Sequence, residues 1–229
     1  PRVAVREVVA DSAGAPPAAV ARLVAAARAE VEGRVARPVA TLAAALPREP
    51  DEQYALGNLV ADAQRWAGEG DVAIMNNGGI RAALRAGPLT FGDLYEVQPF
   101  GNTLYRVRVR GRALRPYLAG LVARDRPRWH VSGLTLTYDS TRTGAERLVS
   151  ATLDGGRPLQ DDQLYTVILN DFLVTGGDGL GLAERADAVL PTGVVDVTAL
   201  ADFLARQPQP VRAPAEPRLR AVAPPEAGR

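Results

Sequence analysis

An apolar strand that runs without a spacer into two amides, two glycines and an arginine is the feature that most constrains this chain: Ile74-Met75-Asn76-Asn77-Gly78-Gly79-Ile80-Arg81. Val72–Met75 reads as a buried strand. The side chains after it offer donors and acceptors on a backbone with almost no bulk, which suits a loop that a ligand approaches closely. The residues alone equally admit an Asn-Gly turn in a hairpin.

Helical and strand periods alternate around this stretch. Pro1–Ala10 alternates weakly like a short strand. Val20, Leu23, Val24, Ala27 and Val31 keep one apolar stripe through Ala18–Glu32, so a helix is expected there, packed through that stripe and stopped at Gly33. Val39–Leu46 is strand-like and the polar Pro47–Gln53 is a loop. Tyr54–Trp66 is a second amphipathic helix that feeds the strand Asp71–Asn76. Gly87-Pro88 breaks the chain, and Thr90 can cap a short helix through Val97 whose Asp93 complements its positive end. Thr103–Arg110 is a strand with a charged face, Gly111–Arg124 a helix and Val131–Tyr138 a strand. Ser150–Leu153 turns at Asp154-Gly155-Gly156, Leu164–Leu169 is the most continuous β run, Val197–Arg206 is a last helix, and a short strand at Leu219–Val222 precedes a Pro-rich end. The expectation is an α+β fold, mixed β-sheets with packed helices.

Composition removes several function classes. The chain has 229 residues, 47% of them apolar, enough for a core, and a net charge of +1, which argues against the one-signed field of a nucleic-acid or membrane-surface binder. Three arginines on the Thr103–Arg110 face read as a solvated strand face. There is no lysine, which excludes a P-loop, and no cysteine, which excludes disulfides and thiolate chemistry. No apolar run reaches the ~20 residues that span a bilayer. His130 is the only histidine, far short of what a two-metal centre needs, so no metal ligands and no catalytic residues are assigned to this chain. It begins with Pro1, so it reads as a piece of something longer.

Three loops leave apolar strands with residues that packing does not need: Asn76–Arg81, Gln98–Asn102 and Asn170–Gly179. The third contains Gly177-Asp178-Gly179-Leu180-Gly181 but lacks the dinucleotide spacing and a surrounding βαβ crossover. Phe100 and Phe172 each stand in a polar, glycine-flanked loop. Two such rings can sandwich a nucleobase, or each can plug its loop onto the core.

Read in order, Ala55-Leu56-Gly57-Asn58-Leu59-Val60-Ala61-Asp62-Ala63, Met75–Arg81, Gly87–Leu104, Val131-Ser132-Gly133 and Asn170–Gly179 resemble the C-terminal domain of 5′-nucleotidases and UDP-sugar hydrolases. The resemblance covers roughly residues 1–222. It implies that Phe100 and Phe172 stack on the two faces of a base and that Arg81 and Asn76 contact ribose, phosphate or base edge. It further implies that Gly78 and Gly79 admit the ligand, that Asn102 and Gly133 line the base pocket, and that Asp178 accepts from ribose hydroxyls. An arginine that family members carry just before the Leu-Gly-Asn-Leu helix is missing, the nearest being Arg48. Asn77 replaces a glycine found in some relatives.

The expected organisation is a connector and interdomain linker helix (1–34), a nucleotide-binding domain (35–222) and a flexible tail (223–229). The expected function is nucleoside and nucleotide recognition for a metal-dependent 5′-nucleotidase. Its two divalent ions (Zn or Mn type) and its chemistry would lie in an N-terminal metallophosphoesterase domain of the same polypeptide, in the periplasm or outside the cell. Alternatives are a 2′,3′-cyclic phosphodiesterase/3′-nucleotidase, a UDP-sugar hydrolase, a sulfur-oxidation hydrolase or a non-catalytic nucleoside-binding module.

Overall fold

A computed structural model describes residues 14–49, 52–124, 127–214 and 216–222. The expected strand at Pro1–Ala10 and the tail at 223–229 lie outside the described residues. The architecture is α+β, built on a five-stranded sheet ordered β10-β4-β9-β2-β5, with β2 at Val72–Asn76, β4 at Thr103–Arg110, β5 at Trp129–Ser132, β9 at Leu164–Asn170 and β10 at Ala188–Val195. β2 and β9 run parallel; the other pairs are antiparallel.

Every residue of β2 is buried because both sheet faces are covered. Val72, Ile74, Val107, Val109, Val167 and Leu169 point to one face, where they meet Leu114, Leu118 and Leu121 of α4 (Gly111–Val122). Successive side chains alternate across a strand, so Ala73, Met75, Leu104 and Ile168 point the other way. There they meet α2 (Ala55–Gly68) and α6 (Asp196–Arg206), through Leu56, Leu59, Val60, Ala199 and Leu200. A strand buried on both faces reads as a continuous apolar run, which is why Val72–Met75 and Leu164–Leu169 are legible as strands.

The expected strand at Val131–Tyr138 divides at Gly133 into β5 and β6 (Leu134–Tyr138), which belong to different sheets. Gly133 has φ +83°, and any Cβ there would run into the Asp71 carbonyl. β6 pairs with β7 (Leu148–Leu153), which turns through Asp154–Gly156 into β8 (Arg157–Pro158), and β11 (Leu219–Ala221) adds to β6 in parallel. The bidentate pair of Arg218 with Asp62 (2.6 and 2.8 Å) ties this C-terminal strand to α2. Ser132 and Arg65 extend that network, Ser132 Oγ donating to Asp62 and Arg65 Nε donating to Ser132 Oγ.

β1 (Pro38–Leu42) pairs with β3 (Gly87–Thr90), where a chain break is expected. A two-stranded ribbon tolerates Pro88, since β3 is an edge strand. β10 is also unexpected; Pro191 and Gly193 obscure its pattern, and its edge position in the sheet accommodates both. α3 (Phe91–Val97) begins as expected. The Thr90 Oγ1 accepts from the Asp93 amide (3.3 Å) and the Asp93 carboxylate accepts from the Thr90 amide (2.7 Å), a capping box.

α1 (Ala18–Val35) forms, continuing two residues past the expected stop at Gly33, but its apolar stripe does not pack. None of its residues is buried, and Leu23 is 72% exposed. Periodicity identifies the helix without saying what covers it.

Candidate functional site

Strand direction collects the three loops on one edge of the sheet. β2 and β9 are parallel and therefore end together, while antiparallel β4 begins there, with Leu104 opposite Asn170. The Asp171 carboxylate accepts from the Thr103 amide at 3.0 Å, fastening the start of β4 to the end of β9. Asn170 caps the single turn α5 (Asp171–Val174) by accepting from the Leu173 amide (2.9 Å), which sets Phe172 on that turn. Phe100 sits two residues before Asn102, next to Gly101 at φ +64°.

Neither ring plugs its loop onto the core: Phe100 is 58% and Phe172 45% exposed. The Arg81 guanidinium lies over the Phe100 ring, 5.8 Å from its centroid, and donates to the Gly78 carbonyl (3.1 Å). Gly177 lies flush against Phe172, where any Cβ would strike the ring.

Asn76 ends β2 by donating to Asp178 Oδ2 at 2.9 Å. Asp178 adopts φ +57°, between Gly176 at +89° and Gly179 at +76°. An L-residue held in that region stores about 1–3 kcal/mol, and such strain collects at ligand clamps. Beneath it the Tyr117 hydroxyl has no partner among the described residues; burial raises its pKa and the nearby Asp178 charge raises it further.

The Asn77 side chain is taken up by the fold. It is buried, accepts from the Tyr54 hydroxyl (2.8 Å) and donates to the Glu49 carbonyl (3.1 Å). Burial pushes the Tyr54 pKa up to about 12, so that donor keeps its proton. These bonds bring the loop before α2 over the site, where Arg48 donates to the Ile80 carbonyl (2.6 Å). Arg48, Asn76, Gly78, Trp129 and Asp178 line one cleft of about 820 Å³. Arg48 thus stands beside the Asn76–Asp178 pair although it lies further from the helix than the expected arginine.

Asn102 is held by a residue the sequence reading missed. Its Nδ2 donates to Asp196 Oδ2 (3.0 Å), and its carbonyl accepts from the Asp196 amide (2.9 Å). Burial raises the Asp196 pKa to about 6 against the hydrogen bonds from Asn102 and Val197 that lower it, and the Asp171 charge adds to the rise. An acid at the start of the expected helix Val197–Arg206 was the available signal.

The two remaining glycines differ from expectation. Gly79 is closed in by packing, since a Cβ there would overlap the Met75 side chain and lie 3.1 Å from Asn76 Oδ1. Gly133 is not at this edge at all. It packs on Asp71, and five residues of strand, roughly 16 Å, separate Asp71 from Asn76. Its work is the β5–β6 junction. His130 is 0% exposed and lies edge-on to Tyr54 (4.6 Å). Burial lowers its pKa to about 3, helped by Arg218, so it stays neutral. Gly57 of the Leu-Gly-Asn-Leu stretch is explained by it: any Cβ would overlap the imidazole. Among the described residues no group of three or more His, Cys, Asp or Glu could hold a metal ion, and no helix is long and apolar enough to cross a membrane.

Known proteins resemble this chain in sequence and in fold. The sequence model described as "5′-nucleotidase, C-terminal domain" matches residues 29–185. The chain is 35% identical to the endonuclease YhcR of Bacillus subtilis over 74% of its own length and 14% of that protein's. It is 33% identical to a 5′-nucleotidase of Vibrio cholerae over 67% of its length and 27% of the relative's. Among solved structures, a 5′-nucleotidase precursor from Thermus thermophilus superposes with a TM-score of 0.78 at 30% identity, over 90% of this chain and 43% of that one. The chain therefore spans less than half the length of each.

Proposed function

We propose, because this chain belongs to the family of 5′-nucleotidase C-terminal domains, that its loop edge binds nucleosides and nucleotides on behalf of a metal-dependent phosphohydrolase. The observation that carries the reading is the pair of exposed rings, Phe100 and Phe172, rooted on adjacent strands beside the Asn76–Asp178 pair. Stacking a base between two rings is worth about 1–3 kcal/mol per base. The Asp178 carboxylate suits a vicinal diol. Arg81 over Phe100, and Arg48 in the cleft that Asp178 also lines, offer planar forks to a phosphate that leaves the ribose.

In this reading the domain supplies position. Its binding energy holds the scissile phosphate toward a metallophosphoesterase domain, where two divalent ions would activate the attacking water. In this reading the chain's own contribution is to hold base, ribose and phosphate. A nucleotide substrate accounts for both exposed rings; a sulfur-compound substrate has no base to stack. A periplasmic or extracellular setting follows from the family resemblance.

Calorimetry with adenosine and AMP tests this. Phe172→Ala is expected to weaken both by about 1–3 kcal/mol, and an unchanged affinity would remove the clamp.

A further inference from the structure

The cleft beside the Asn76–Asp178 pair contains chemistry that the stacking site leaves unused. Neither Phe100 nor Phe172 lines it, whereas Arg124, Arg128 and Trp129, from the connection between α4 and β5, do. Sheet order places that connection. Phe100 precedes β4 and Phe172 follows β9; next come β2, ending at Asn76, and β5, whose Trp129 pairs with Asn76. Neighbouring strands lie about 5 Å apart, so the start of β5 stands roughly 10 Å beyond the end of β9. Asn76, with Asp178 bonded to it, lies between the two. The Asn77 amide donates to the Arg128 carbonyl (3.3 Å), which fastens the start of β5 to the Asn76–Arg81 loop. Gly120 packs on Leu180, where a Cβ would come within 2.8 Å, so the end of α4 is held against the Asp178 loop.

Charge in this cleft is one-sided. Arg48, Arg124 and Arg128 line it against a single carboxylate, Asp178, which already accepts from Asn76. Arg48 is tied to the Asn76–Arg81 loop through the Ile80 carbonyl and serves, with Arg81, the phosphate proposed above. Arg124 and Arg128 lie on the other segment, and Arg124 is exposed and makes no hydrogen bond or ion pair among the described residues.

We propose that Arg124 and Arg128 form a second anion subsite, which takes a phosphate carried on the 2′,3′ edge of the ribose, so that the chain holds a nucleoside 3′,5′-bisphosphate more tightly than the 5′-monophosphate. The inference rests on the stacking site proposed above and extends its ligand class. With the base between the rings and the ribose edge turned to Asp178, the group on O3′ is the part of the nucleotide nearest these arginines. The 2′-hydroxyl remains as a donor to Asp178. A phosphate dianion gains more from two guanidinium forks than it loses to one carboxylate that is already hydrogen-bonded.

Calorimetry at low ionic strength on the 229-residue chain, with adenosine, AMP, ADP and adenosine 3′,5′-bisphosphate, provides the test. The bisphosphate is expected to bind about tenfold tighter than AMP, with the gain shrinking as salt is added. Arg124→Gln should reduce that gain below about threefold and leave adenosine and AMP as they were, and Arg124→Lys, which keeps the charge, should restore part of it. A bisphosphate that binds no tighter than AMP overturns the proposal, as does a gain that survives Arg124→Gln combined with Arg128→Gln. A gain shown equally by ADP also overturns it, because the second phosphate then lies on the 5′ side. Phe172→Ala separates the two levels: if it leaves adenosine unchanged the stacking reading fails, whereas a lost adenosine affinity beside equal AMP and bisphosphate affinities leaves the rings standing and removes the subsite.

Discussion

The two ends of β2 carry similar amounts of polar chemistry and treat it in opposite ways. At the Asp71 end, Asp62, Arg218, Ser132 and Arg65 satisfy one another, and Gly133 closes on a backbone carbonyl. At the Asn76 end two aromatic rings are exposed, an aspartate sits at positive φ, and two arginines donate, among the described residues, to carbonyls of the loop between them. Polar groups that bond to each other hold a fold together. Polar groups and rings that face solvent on rigid supports lower its stability and are free to bind something else.

Substitutions at each end test the contrast. The largest effect is expected at the closed end. Asp62→Ala leaves the half-buried Arg218 without its carboxylate, with a carbonyl of Val131 still accepting from it, and should cost about 3 kcal/mol in denaturant unfolding, with nucleoside affinity of the folded protein unchanged; a loss of affinity would mean the two ends are coupled. Asp196 comes next, through pH. A carboxyl whose folded pKa is raised, here to about 6, stabilises the fold fully below the unfolded value and loses that contribution as pH rises through 6. Unfolding measured at pH 4 and pH 7 should therefore favour Asp196→Asn increasingly at the higher pH, by about 2–3 kcal/mol; parallel profiles would refute a carboxylate whose burial outweighs its hydrogen bonds. The smallest effect is the sharpest. Asp178→Gly relieves the φ +57° backbone and should raise stability by about 0.5–1 kcal/mol while weakening nucleoside binding. Stability and affinity moving the same way would remove the claim that this end trades one for the other.

Much of the scaffold was legible because burial on both sheet faces leaves unbroken apolar runs, as in Val72–Met75 and Leu164–Leu169. The Thr90–Asp93 cap was legible because it is local. β3 and β10 were not, since Pro88, Pro191 and Gly193 read as breakers wherever the sheet position is unknown. The stripe of α1 predicts a helix but not its solvent exposure, which is a tertiary fact. At the site, the loops were visible as residues that packing does not need. Their partners were hidden. Arg48 acts through a loop that Asn77 and Tyr54 pull into place, and Asp196 meets Asn102 across 94 residues of sequence. Gly133 carries the opposite lesson, because a motif glycine can be required by a backbone carbonyl at the other end of the strand from the loops.

The bond from the Thr103 amide to Asp171 has a kinetic consequence. It fastens the strands that carry both rings beside the register pair Leu104–Asn170, so the jaws share one rigid root. If the proposed clamp holds a base, its entry and exit then require only ring rotation and loop motion on the nanosecond to microsecond scale. The amides of β4 and β9 can stay protected from hydrogen exchange for the long intervals set by global unfolding. Ligand traffic and fold opening run on separate clocks.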